Sequence, residues 1–98
     1  MEYMPEVIQV ILVEGYQVYV YFDDGSIKLF DAKEIVTKGI FQVLQDINKF
    51  KETCTVLNGT LAWDLEGNYD ETKCLDIDPF GIYENCKEVE EPKELFSI

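Results

Sequence analysis

Residues 7–30 read VIQVILVE-G-YQVYVYF-DDGS-IKLF, from Val7 to Phe30, and this stretch decides the fold. Val7 to Glu14 is a run rich in β-branched residues, and Gly15 separates it from Tyr16 to Phe22. A glycine between two β-rich runs marks a tight turn, because it accepts a positive φ without steric cost. In the second run Tyr16, Val18, Val20 and Phe22 fall on one face of a strand, and Gln17, Tyr19 and Tyr21 on the other. The first face is fully apolar and is expected to line the core; the second is amphipathic. Asp23-Asp24-Gly25-Ser26 then precedes Ile27 to Phe30, and an Asp-Gly pair between β-rich runs is a strong hairpin signal. The reading is a three-stranded antiparallel meander over residues 7–30.

Outward from the meander, Asp31 can cap a short helical turn over Ala32 to Thr37, with Gly39 ending it. Residues 40–52 carry Ile40, Phe41, Val43, Leu44, Ile47 and Phe50 at steps of three and four, which predicts a helical face that covers the sheet. Asp46 can act as the N-cap of a second short helix within that segment. Cys54 to Leu57 and Thr60 to Trp63 flank Asn58-Gly59 and form a second hairpin by the same turn logic, for five candidate strands in the sheet. Beyond Trp63, residues 64–73 read as a polar loop, Cys74 to Ile77 as a short apolar remnant, and Asp78-Pro79 as the start of a helical turn through Tyr83. The fold class is α+β: an antiparallel meander of three strands plus a second hairpin, covered on one face by one or two short helices. Residues 5–86 form a single domain, and residues 87–98 are expected to be an acidic, mobile tail unless a partner orders them.

Composition narrows the function. The chain has 98 residues, 47% of them hydrophobic, which suffices for one core and is too short for two domains of usual size. Net charge is −12, and residues 64–98 hold eleven of the twenty acids against three of the eight lysines. All eight basic residues are lysine. Such a surface repels a phosphate backbone and argues against nucleic-acid binding, while it would steer a basic protein partner. No apolar run approaches the length of a membrane span and the first residues lack a basic leader, so the expected compartment is the cytoplasm. Cys54, Cys74 and Cys86 fit neither a paired disulfide framework nor a CxxC motif, and are read as reduced thiols; a Cys74–Cys86 bridge is disfavoured in a reducing compartment.

The residues that carry most catalysis are missing. With no histidine, the chain lacks the usual general base and imidazole metal ligand. Ser26 and Ser97 are the only serines, and neither has a lysine placed to activate it. Close carboxylate pairs are expected by chance among twenty acids and read as a solvated face. Asp64, Glu66, Asn68 and Asp70 alternate like the start of a calcium loop, but Tyr69 stands where that loop needs glycine and Leu75 where it needs glutamate. These four are weak metal candidates, and no cofactor is implied. Trp63, at the end of an alternating strand, reads first as a core residue and second as an interface anchor. Tyr19 and Tyr21, opposite the core residues of their strand, are the better contact candidates, joined by Leu95 and Phe96 in the tail.

Several spaced features together resemble one bacterial family. Pro5-x-Val7 opens it, followed by Val20-x-Phe22-x-x-Gly25, then Phe30-Asp31 and Gly39-Ile40-Phe41-x-x-Leu44-x-Asp46-x-x-x-Phe50. Trp63 after a turn and Asp76-x-Asp78-Pro79 leading to Tyr83 complete the series. The chain resembles the domain of unknown function 2442, over residues 5–85. It departs from the family's compact Trp-Pro-Asn-Gly turn, having Trp63-Asp64-Leu65-Glu66-Gly67-Asn68 instead. The resemblance implies kinship with proteins labelled as antitoxin halves of two-gene toxin–antitoxin systems, some of which carry an added helix-turn-helix. The segment after Tyr83 is short and acidic, so that module is not expected here. The expected function is therefore a non-catalytic protein-binding domain that neutralises a small basic partner by contact. A small-molecule or metal-sensing domain with a pocket near Trp63 is the alternative, and an edge strand leaves a homodimer open.

Overall fold

At the Asp24-Gly25 turn, the Phe22 N–H donates to the Ser26 carbonyl at 2.9 Å, the Gly25 N–H donates to the Phe22 carbonyl at 3.0 Å, and Gly25 lies at φ +93°. This is a three-residue hairpin loop with glycine at its left-handed position. It joins β2 (Gln17–Phe22) to β3 (Ile27–Asp31), and β2 pairs on its other side with β1 (Val7–Leu12). In the computed structural model, which describes residues 4–65, 67 and 75–90, the meander is therefore present as read. Its core face is also as expected: Val18, Val20 and Phe22 are buried, alternating with half-buried Gln17, Tyr19 and Tyr21.

The segment after the meander is helical but not one rod. Two 3-10 stretches, Ile35–Thr37 and Gly39–Gln45, precede helix α1 (Ile47–Thr53). Asp46 is the break: its side chain accepts the Asn48 N–H at 3.0 Å and caps α1. Asp31 accepts the Lys33 N–H at 2.9 Å, so it closes the turn before the first 3-10 stretch, whose own N-cap is Glu34. Phe41, Leu44, Ile47 and Phe50 turn inward, a strict step of three that suits the 3-10 repeat. Ile40 and Val43, read as part of the same apolar face, are instead exposed at 71% and 39%.

The second hairpin belongs to a sheet of its own, which corrects the expectation of one five-stranded sheet. Strands β4 (Cys54–Leu57) and β5 (Thr60–Trp63) turn through Asn58 at φ +55° and Gly59 at φ +74°, the two left-handed positions of a type I′ turn. Strand β6 (Leu75–Ile77) then pairs antiparallel with β5. Cys54, Val56, Leu61, Trp63, Leu75 and Ile77 share one face of this sheet by register, and all six belong to the core or pack against it. The Thr60 hydroxyl donates to the Ile77 carbonyl and fastens the sheet's far edge.

Helix α2 (Pro79–Asn85) begins at Asp78, whose carboxylate accepts the Phe80 N–H at 3.1 Å, with proline at the first position. It runs two residues beyond Tyr83 and ends at Asn85. Strand β7 (Lys87–Glu88) then pairs antiparallel with β3, and the Val89 N–H donates to the Ile27 carbonyl at 2.9 Å. The stretch read as a tail from residue 87 thus opens as the fourth strand of the first sheet. Short, charged strands carry little sequence signal, and this one exists because α2 delivers it to the free edge of β3. The final sheet orders are β1-β2-β3-β7 and β4-β5-β6. Their inner faces meet around Trp63, Phe22, Phe50, Leu44 and Leu61, with Ile82 of α2 closing one side.

Candidate interaction surface

The four-stranded sheet has a second apolar face. Across β1, β2 and β3 the register sets Gln9 beside Tyr21 beside Ile27, and Ile11 beside Tyr19 beside Leu29, with Lys87 of β7 next to Leu29. Ile11, Tyr19, Tyr21, Ile27 and Leu29 are all half-buried, and none packs against the core cluster, although the hydroxyl of Tyr21 is itself buried. The alternation of β2 alone singles out the two tyrosines; the three aliphatic neighbours join them only through register. Acids stand at both ends of this sheet: Glu6, Asp23 and Asp24 at one, Glu14 and Asp31 at the other, all exposed. The Asp23 N–H donates to the Glu6 carbonyl at 3.0 Å, which holds the first group together.

Strand β1 is an edge among the described residues. Its Val13 N–H donates to the Gln17 carbonyl at 3.2 Å, so Val13 and Gln17 form a hydrogen-bonded pair. By the alternation of an antiparallel ladder, Ile11 and Tyr19 form the next such pair, and the backbone groups of Val10 and Leu12 point away from β2. At the start of β1 the Val7 N–H donates to the Gly59 carbonyl at 2.8 Å, where the β4–β5 turn abuts the strand.

Trp63 is not part of this surface. It is 0% exposed, with the Phe50 ring centre 5.4 Å away and the Phe41 ring meeting it edge-on at 6.3 Å. Its role is in the core, which removes it from the contact residues that the sequence suggests. Its indole N–H has no hydrogen-bond partner among the described residues. Leu95 and Phe96 lie outside the described residues, as do Glu66, Asn68, Asp70 and Cys74. Asp64 is buried, and its carboxylate accepts the Gly67 N–H at 3.0 Å. Among the described residues no group of three acids, cysteines or histidines is placed to hold a metal.

A shallow groove beside Asp64 is lined by Glu52, Thr53, Cys54, Thr55 and Gly67. Burial pushes the Cys54 thiol up to about 12, so it stays protonated and weakly nucleophilic at neutral pH. Cys86 is likewise a free thiol, raised by burial and partly drawn back by Lys28.

One polar cluster escapes sequence reading. Lys28 pairs with Val20 and so sits on the core face of β3, only 9% exposed. Its ammonium lies 5.1 Å from the centre of the Tyr83 ring and 3.7 Å from the Glu88 carboxylate. The Tyr83 hydroxyl donates to Asp24 at 2.6 Å, while the Ser26 hydroxyl and N–H donate to the other Asp24 oxygen at 2.6 and 2.9 Å. The Ser26 hydroxyl first, and then Tyr83, hold the Asp24 carboxyl below its ordinary value; the hydrogen bond to Asp24 raises Tyr83. This cluster fastens α2 and β7 to the sheet through a cation over a ring and charge-assisted hydrogen bonds.

A family model described as "Protein of unknown function (DUF2442)" matches residues 7–88, which runs from the first residue of β1 to the last of β7. The chain belongs to the DUF2442 family. The match bears out the resemblance carried by the Gly39-to-Phe50 and Asp76-to-Tyr83 motifs. No curated protein and no solved structure matches the chain. In this DUF2442 domain the matched span contains both sheets and both α-helices, with the second apolar face formed wholly inside it.

Proposed function

We propose that this DUF2442 domain is a non-catalytic protein-binding module: the antitoxin-like member of a two-gene toxin–antitoxin system, neutralising a small basic partner in the cytoplasm by direct contact. The observation that carries the reading is the second apolar face. A sheet that presents Ile11, Tyr19, Ile27 and Leu29 away from its own core has the composition of the centre of a protein interface. Acids at both ends supply a rim complementary to a cationic protein. The net charge of −12, with lysine as the only basic residue type, supports steering of such a partner and opposes nucleic acid. The absence of histidine and of an activated serine supports a contact mechanism over turnover.

Co-expression with the adjacent small open reading frame tests this. A purified complex, and relief of any growth inhibition the neighbour causes, are the expected results. No complex together with unrelieved inhibition overturns the antitoxin assignment.

A further inference from the structure

The two edges of the four-stranded sheet are built differently. At one edge β7 has two residues, both charged, which is how native sheets discourage further pairing. At the other, β1 offers Val7-Ile8-Gln9-Val10-Ile11-Leu12, with no charge, no lysine and no proline. Its only irregularity is a bulge between Val7 and Gln9, at the end that meets the β4–β5 turn. The outward backbone groups of Val10 and Leu12 lie beyond that bulge and are bonded to no strand among the described residues, while β4 and β5 approach β1 and their turn is bonded to it at Val7. Ile8, at the bulge, is 59% exposed.

Charge decides what suits this edge. Glu6 and Glu14 are exposed and flank the uncharged strand, roughly 27 Å apart along an extended chain at about 3.4 Å per residue. A second copy of the chain would bring another Glu6 and another Glu14 to the same edge, adding acid to acid. A strand with lysine or arginine near each end and an uncharged middle meets both glutamates with opposite charge.

We propose that β1 accepts an extended segment of a partner protein, pairing with the outward groups of Val10 and Leu12 as far as the β4–β5 turn at Val7, with one basic residue beside Glu14 and another whose side chain reaches the Glu6 carboxylate at that turn. The inference rests on the protein-binding reading and specifies its mode. Main-chain hydrogen bonds supply attraction that is blind to sequence, and the terminal charges select the partner. The added strand would extend the apolar face past Ile11, so that edge and face form one continuous surface.

The test uses the full chain, labelled for NMR, and a synthetic peptide of alternating threonine and valine with two lysines at each end. Slowed exchange of the Val10 and Leu12 amides on adding the peptide is the expected result. The double variant Glu6→Lys/Glu14→Lys, altered only at exposed positions, should bind that peptide about tenfold more weakly and prefer one ending in glutamates. Three results overturn the proposal: Val10 and Leu12 amides already protected in the free chain, peptide-induced shifts confined to other strands, or unchanged peptide preference in the variant. A complex with the adjacent gene product that survives any of these leaves the broader reading standing and removes only the edge. Charge-dependent peptide binding without such a complex does the reverse.

Discussion

The hydroxyl of Tyr83 donates to the carboxylate of Asp24 at 2.6 Å, joining helix α2 to the β2–β3 turn across 59 residues of chain. Both groups titrate, and their shifts run in opposite directions. The Asp24 carboxyl is lowered, so its contribution is present above its unfolded value of about 3.9 and is lost as pH falls through the folded one. Tyr83 is raised, so its contribution is present below its unfolded value of about 10 and is lost as pH rises through the folded one. Tyr83→Phe should therefore be less stable than the parent on the plateau between those limits, by a small margin because the pair is exposed to solvent. The two curves of urea-unfolding free energy against pH should converge at both ends. A gap that persists unchanged into acid would show that the hydrogen bond is not its source.

Lys28 offers a second test, because a lysine on the core face is held by a ring and a distant carboxylate rather than by a close ion pair. Glu88 is 68% exposed and its oxygen lies 3.7 Å from the ammonium, so the Coulombic gain is small. Lys28→Met keeps the aliphatic stem and removes the cost of desolvating the charge. Its stability should match or exceed that of the parent, within about 1 kcal/mol. Lys28→Ala also removes the stem and should cost about 1–2 kcal/mol, by loss of packing against Tyr83. Chemical denaturation of both variants checks the order.

Lys28 also illustrates what the sequence hides. Turns are local, so Gly15, Asp24-Gly25 and Asn58-Gly59 mark three hairpins directly, and Asp46 and Asp78-Pro79 mark two helix starts. The alternation of β2 separates Val18, Val20 and Phe22 from Tyr19 and Tyr21 without any knowledge of neighbours. What is lost depends on pairing between distant segments. Strands β6 and β7 have three and two residues, too few to show a period, and exist because β5 and β3 have free edges. The division into two sheets, the placing of Lys28 under Tyr83, and the joining of Ile11 and Leu29 to Tyr19 all depend on register, which the order of residues alone does not contain. Ile40 and Val43 fall outside the core because a helical period of 3.6 does not hold where the chain turns every three.

Phe50 is the residue on which the two sheets and the helical segment converge. Its ring meets Tyr16 edge-on at 5.2 Å and Trp63 at 5.4 Å, with 0% exposure. Phe50→Ala should cost about 3–5 kcal/mol, a large part of the roughly 5–15 kcal/mol that holds a domain of this size. Trp63 is the sole tryptophan, so its fluorescence reports the core. The parent should emit in the blue range expected of a buried indole, and the variant should unfold at markedly lower urea. A midpoint that barely moves would mean that the core closes over the cavity.

Gly59 and Gly25 separate backbone strain from crowding. Both have positive φ, +74° and +93°, so alanine should cost each about 1 kcal/mol. A Cβ at Gly25 would meet open space, whereas one at Gly59 would lie 2.8 Å from Cγ of Glu6. Gly59→Ala should therefore destabilise more than Gly25→Ala. Adding Glu6→Ala should recover the difference, as a double-mutant cycle on the folding free energy would show. If Glu6→Ala leaves the excess intact, the glutamate side chain moves aside freely and the contact contributes nothing.

Tyr19 and Val20 are adjacent in sequence and face opposite ways, Tyr19 half-buried outside the core and Val20 at 0% exposure within it. If the outer face binds the partner, substitutions at these neighbours should fail in different assays. Val20→Ala removes buried methyl groups and should cost about 2 kcal/mol in folding, with affinity for the partner preserved in the folded fraction. Tyr19→Ala should leave the unfolding midpoint nearly unchanged, because its neighbours Ile11 and Leu29 are outside the core as well. It should weaken the complex by at least about tenfold, the loss expected when an aromatic anchor is truncated at the centre of an interface. Calorimetric titration against the co-expressed partner measures the second effect and thermal unfolding the first. Equal affinity for the Tyr19→Ala variant and the parent would place the contact elsewhere on the molecule, and would leave the second apolar face without its proposed role.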